Sequence, residues 1–225
     1  MDAARREKKE HGTLSFPFQI YPALDGSEAD DSDFIPYHWH PELEIITVDC
    51  GRVSLTIADR MYEGARGDVF FAASEELHEI RAAGRENQFR SFVFAADFLQ
   101  FARADETEFA LLEPLAEGRL RFATCLRSGE PGQSEVRTLL AQIVRTWQQQ
   151  APGCQLAVKA AAHAVELRCK GVNAAEKGHS AKLGEGVVLR AEHDTQFILC
   201  ARHELRRNVA HAEVLEVGLG RAEGD

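Results

Sequence analysis

The chain has 225 residues, 44% of them hydrophobic and 28% charged, which suffices to bury a core and is ordinary for a soluble protein. Its 36 acidic and 26 basic residues give a formal net charge of −10, which excludes a nucleic-acid binder built on a uniformly basic surface but leaves a local basic patch open. No apolar run approaches a membrane span, and residues 1–11, with Arg5, Arg6, Lys8 and Lys9, lack the apolar stretch of a secretory leader. The five cysteines (Cys50, Cys125, Cys154, Cys169 and Cys200) are odd in number and without paired metal spacing, which reads as reduced, mostly buried thiols in a cytoplasmic protein.

The N-terminal half reads as short strands between turns. Residues 14–20 alternate until Pro22, and residues 42–48 are rich in strand formers. Asp49-Cys50-Gly51-Arg52 is a turn, after which Val53, Leu55 and Ile57 alternate with Ser54 and Thr56 as a half-buried strand. Met61-Tyr62, Val69 to Phe71, His78 to Ile80 and Gln88 to Phe94 complete the series, punctuated by Gly64 and Gly67. Short strands at this spacing predict a β-sandwich or barrel.

After Ala95 the character changes. Residues 97–102 read as helical, residues 114–122 as connecting structure, and residues 128–132 as a loop with Ser134 as the cap of a helix. Val136, Leu139, Leu140, Ile143, Val144 and Trp147 recur at helical spacing over residues 134–150, which end at Pro152-Gly153. Residues 154–170 read as a second helix stopped by Gly171. The apolar stripe serves packing within the chain or a dimer face. From residue 172 onward glycines interrupt short apolar islands and no regular element emerges; Ala201 to Arg207 forms a basic patch.

The run His38-Trp39-His40-Pro41-Glu42-Leu43-Glu44 carries the chemistry. On one strand, period two would aim His38, His40, Glu42 and Glu44 at one side. Imidazoles and a carboxylate are ligands for divalent transition metals, and His78 is a fourth candidate if the sheet curls to bring it in. The set His38, His40, Glu44 and His78 is therefore either a metal site or a metal-free polar lining of a ligand cavity, with Glu42 at its rim. Trp39, Tyr37 and Phe34 are placed to floor a pocket for a sugar or aromatic ligand, or to pack in a core. Gly184-Glu185-Gly186 does not open a phosphate loop, Ser74 and Ser91 have no triad context, and His163 reads as a half-exposed helix residue.

His38 to Ile46 with Gly51 resembles the first signature of the cupin fold, and Gly67-Asp68-Val69-Phe70-Phe71 to His78 resembles the second, with Ala65 where a proline is usual. The form of the first run, with Asp97-Phe98-Leu99, Glu113-Pro114-Leu115 and Leu120-Arg121-Phe122, is similar to the effector-binding half of AraC-type transcription regulators over residues 13–170. That resemblance implies an α+β chain: a cupin, or jelly-roll, barrel over residues 13–96, a helical dimerisation segment over 97–171, and an altered or truncated DNA-binding region over 172–225. It also implies a small-molecule effector, a sugar being one candidate, bound at His38, Trp39, His40, Glu44 and His78 in a homodimer without membrane contact. A metal at His38, His40, Glu44 and His78 is an option rather than a requirement. The family reads DNA with two helix-turn-helix motifs, which the tail after Ser180 does not show, so DNA is expected as a partner only if that region functions. A tail translated in a shifted frame would explain the abrupt change. The alternative is a stand-alone metal-dependent cupin enzyme of dioxygenase or isomerase type.

Overall fold

The computed structural model describes residues 3–25, 34–82, 87–166, 168 and 171–173. The chain divides into compact units at residues 1–178 and 179–225, and the described residues all belong to the first. Expectations for residues 174–225, including the basic run, lie outside the described residues, as do Cys169 and Cys200.

Strands β1 (Phe18–Asp25), β2 (Phe34–His38), β3 (Leu43–Cys50), β4 (Arg52–Ile57), β5 (Arg60–Ala65), β6 (Val69–Ala72), β7 (His78–Ala82) and β8 (Gln88–Phe94) form the N-terminal part. A 3-10 turn at Ala96–Leu99 and a π turn at Glu108–Leu112 lead into α1 (Glu113–Ala116). Then come β9 (Leu120–Phe122), β10 (Cys125–Leu126), α2 (Gln133–Gln149), α3 (Cys154–Glu166) and β11 (Gly171–Asn173). One antiparallel sheet has the order β1-β8-β3-β6-β10, a second β2-β7-β4-β5, and β9 pairs with β11.

Alternation along the strands explains the layering. Ile46, Val48, Phe70, Ala72 and Phe89 of the first sheet meet Val53, Leu55, Ile57 and Ile80 of the second in one core. The other face of the first sheet turns Phe18, Leu43, Ile45, Val69, Phe71, Phe92 and Phe94 toward Val136, Leu140 and Ile143 of α2 and Val158, Ala161, Ala162 and Val165 of α3. β3 is thus covered on both faces, which is why its sequence does not alternate, whereas β4 shows one buried and one wet face. The helical stripe is spent on this packing: Val136, Leu140 and Ile143 are buried, and Leu139, Val144 and Trp147 flank them.

Several boundaries differ from the sequence expectations. β1 begins at Phe18 because residues 13–16 close a turn, with Phe16 N donating to Thr13 Oγ1 at 3.1 Å and Thr13 N to Phe16 O at 3.0 Å. It continues past Pro22, which is tolerated because β1 is an edge strand and its register slips between Tyr21 and Leu24. Residues 97–102 hold only the 3-10 turn. Ser134 lies inside α2 rather than capping it: Gly132, at φ +84°, makes the left-handed entry and Gln133 begins the helix. α3 ends at Glu166, and Gly171 opens β11 instead of stopping a helix. Cys50, Cys125 and Cys154 are free thiols but half-buried, and burial pushes the Cys125 thiol up to about 11.

Candidate functional site

His38, His40, Glu42 and Glu44 do not share a strand. His38 ends β2 in the second sheet, residues 39–42 cross between the sheets, and Glu44 lies on β3 in the first. Convergence comes from the crossing and from pairing: His38 faces His78 across β2 and β7, with ring centroids 4.3 Å apart. Glu44 Oε2 accepts hydrogen bonds from His40 Nε2 at 3.1 Å and His78 Nε2 at 3.0 Å. The far nitrogens are held by backbone: His38 Nδ1 lies 2.8 Å from Pro36 O, and His78 Nδ1 2.8 Å from Glu76 O. Fixing Nδ1 this way aims Nε2 into the cluster. His40, Glu44 and His78 expose 2%, 5% and 1% of their surface, and His38 is half-buried at the open side.

One ligand atom from each of His38, His40, Glu44 and His78 lies within 4.8 Å of the others. Donors roughly 2.1 Å from an ion sit about 3.0 Å apart along an octahedral edge, close to the separations from Glu44 Oε2 to His40 and His78. The electrostatics suit a cation. Burial alone would raise the Glu44 carboxyl, but hydrogen bonds from His40 and His78 hold it well below the ordinary carboxylate range. Burial opposes charge on His78, yet its bond to Glu44 raises its affinity for a proton, one that an incoming metal would displace. Burial and the neighbouring His78 lower His38.

The structure adds residues that no periodicity marked. Residues 5–7 run beside Trp39, with Trp39 N donating to Arg5 O at 3.1 Å and Glu7 N to Trp39 O at 2.9 Å. Glu7 Oε2 thereby comes 3.5 Å from His38 Nε2 and 3.3 Å from His11 Nε2. His11 Nδ1 is 2.8 Å from the Tyr21 hydroxyl. His11 holds the Glu7 carboxyl below its usual range against the opposing cost of burial, and the nearby His38 and His40 add to the effect. The charged N-terminus is therefore docked on the barrel, and the only sequence signal was the glycine after His11. Trp39 meets the Arg6 guanidinium 5.6 Å above its ring, and Tyr37 bonds Asp59 Oδ1 at 3.3 Å under Arg5; neither belongs to the cluster. Glu42 sits at the edge, its Oε2 3.4 Å from His40 Nδ1.

Asp68, in the second motif, is structural. It accepts from Ala65 N at 3.1 Å, Ser128 N at 2.8 Å and Arg127 Nη1 at 2.8 Å, tying the start of β6 to the loop before α2. Burial pushes its carboxyl up, and these donors outweigh that to leave it below the usual range. Ser74 donates to Pro41 O at 2.7 Å, the buried Ser91 Oγ has no hydrogen-bond partner, and His163 lies 3.8 Å from Glu166, so no triad forms among the described residues.

Two antiparallel sheets with a His/Glu cluster between them make this a cupin-type jelly roll. The AraC-like ligand binding domain matches residues 21–165, and the chain belongs to that family. No curated protein matches the chain. A conserved protein of unknown function from Streptococcus pyogenes is 21% identical at a TM-score of 0.30, over 35% of this chain and 65% of that one. Bacillus subtilis oxalate decarboxylase, which carries Mn(II) centres, is 22% identical at a TM-score of 0.31, over 36% of this chain and 22% of its own. A predicted oxalate decarboxylase from Thermotoga maritima is 20% identical at a TM-score of 0.27, over 35% and 80%. The chain thus spans less than two thirds of the first two proteins. No helix among the described residues is long and apolar enough to cross a membrane.

Proposed function

We propose that the barrel is the effector-sensing half of a transcription regulator and that its small-molecule effector binds at His38, His40, Glu44 and His78. The observation that carries this is the convergence of three imidazoles and an ionised carboxylate between the sheets of a family of ligand-binding domains. Those donors fit a divalent transition metal, which would supply a Lewis-acidic contact for oxygen groups of the effector, such as a sugar's hydroxyls. Trp39 would act from outside the cluster, by fixing residues 5–7 against the open side.

β3 links the site to the helices. Glu44 faces the cluster while its neighbours Leu43 and Ile45 pack in the core that holds α2 and α3. A ligand that moves Glu44 strains that contact, and helices shared between two copies would turn the strain into a change of dimer. Residues 13–96 would form the sensing barrel and 97–171 the dimerising segment, with DNA contacts left to residues 172–225.

The test is a thermal-shift screen of sugars and small hydroxy acids against the metal-loaded chain, repeated with His40→Ala and Glu44→Ala combined. Stabilisation should vanish in the variant; hits that survive it would overturn the assignment. Conversion of a hit into product would favour the metal-dependent enzyme, whose open coordination the half-buried His38 side would serve. Loss of DNA retention between low and high salt would support an operating DNA-binding tail.

A further inference from the structure

The donors at the N-terminal segment form a second group. Glu7, His11 and His40 place one ligand atom each within 4.8 Å of one another. The His11 side chain is only 2% exposed, and its Nε2 has no well-aligned hydrogen bond, its nearest carboxylate oxygen, Glu7 Oε2, lying 3.3 Å away. A buried imidazole nitrogen left without one is costly unless something else takes its lone pair. Its other nitrogen is held by the Tyr21 hydroxyl at 2.8 Å, the arrangement that orients a metal-bound histidine. The His11 and His40 rings lie 5.1 Å apart.

We propose that Glu7, His11 and His40 form a second divalent-metal site, which clasps the N-terminal segment to the barrel. Two imidazoles and one carboxylate are a zinc donor set with a position left for water. The site spans two parts of the chain: Glu7 and His11 come from the N-terminal segment and His40 from the crossing between sheets. An ion there ties them together, so metal and docking are linked. His40 belongs to both groups, so one ion at a time uses it. An ion held by the barrel donors therefore competes with the clasp for His40.

The experiment isolates the clasp. Glu44→Gln with His78→Gln removes two barrel donors and leaves Glu7, His11 and His40. The chelator-treated full chain carrying both changes is titrated with Zn2+ by calorimetry and digested with trypsin, which cuts after Arg5, Arg6, Lys8 and Lys9. One Zn2+ per chain should bind, and at about 100 times Kd the cutting should slow by roughly 100-fold. Adding His11→Gln should abolish both effects, and Mg2+ should produce neither. Zn2+ binding that persists unchanged with His11→Gln, or no binding by a double variant that keeps its cooperative thermal transition, overturns the proposal. If the double variant does not fold, the trypsin readout is taken on the chain without those two changes: Zn2+-slowed cutting after Arg5, Arg6, Lys8 and Lys9 that is lost with His11→Gln supports the clasp, and cutting that is not slowed, or is slowed equally with His11→Gln, overturns it.

Discussion

Gly12 sets where residues 3–11 lie. It adopts φ +80°, and a Cβ there would come 2.5 Å from Phe18 N, 2.6 Å from Phe16 O and 2.8 Å from Phe18 O. These are backbone atoms, and they cannot swing aside: Phe16 stacks on Trp147 with centroids 5.6 Å apart, and Phe18 is in the core. Gly12→Ala therefore adds about 1–2 kcal/mol for the left-handed conformation and roughly 1–3 kcal/mol for overpacking. The strain is most easily relieved by releasing residues 3–11, which are held by the pair of backbone bonds to Trp39 and by His11. At about 1.4 kcal/mol per tenfold, a total of roughly 2–5 kcal/mol raises the open population on the order of 30-fold or more. Timed trypsin digestion with mass spectrometry of the N-terminus reads this as a matching rise in cleavage, while the main thermal transition stays cooperative. Cleavage within about threefold of the unsubstituted chain would refute the reasoning, as would loss of the barrel transition itself.

Asp68→Ala strands the Ala65 and Ser128 amides and the Arg127 guanidinium, and should cost roughly 2–4 kcal/mol in urea unfolding. Because the folded-state carboxyl of Asp68 lies below its usual range, its contribution is present above the unfolded value near pH ~4 and is lost as pH falls through the folded one. Asp68→Asn should therefore flatten the acid limb of stability against pH; an unchanged limb would count against the clamp. Ile143→Ala, at the seam between α2 and the first sheet, should cost about 2–5 kcal/mol, and a loss under about 0.5 kcal/mol would mean that the helices do not pack there. Gly64→Ala places a Cβ 2.8 Å from the Phe70 ring and 2.9 Å from Val53 Cγ2, so roughly 1–3 kcal/mol of overpacking should appear as a lower melting temperature.

The strand series and the helical stripe were legible because hydrophobic period follows burial. Val53, Leu55 and Ile57 alternate because one face of β4 is wet, and Val136, Leu140 and Ile143 recur because one face of α2 is covered. The cluster was legible by composition but not by mechanism. Its residues meet because the chain leaves one sheet at His38 and enters the other at Leu43, a crossing that period two cannot express. Glu7 and His11 were not legible, since their role comes from a docked segment whose turn depends on one glycine and whose strand-like contact is a single bridge to Trp39. The Ser134 cap failed for a local reason: the loop supplied Gly132, and a glycine in the left-handed region starts the helix two residues earlier.

The most direct test of the account is a calorimetric titration of Zn2+ or Ni2+ into the chelator-treated chain carrying His11→Gln, where the barrel donors His38, His40, Glu44 and His78 are left to act. The account predicts one ion per chain, and affinity at least about 100-fold weaker once Glu44→Gln and His78→Gln are added. Equal binding with and without those two changes, or none in either, would contradict a metal-competent site between the sheets.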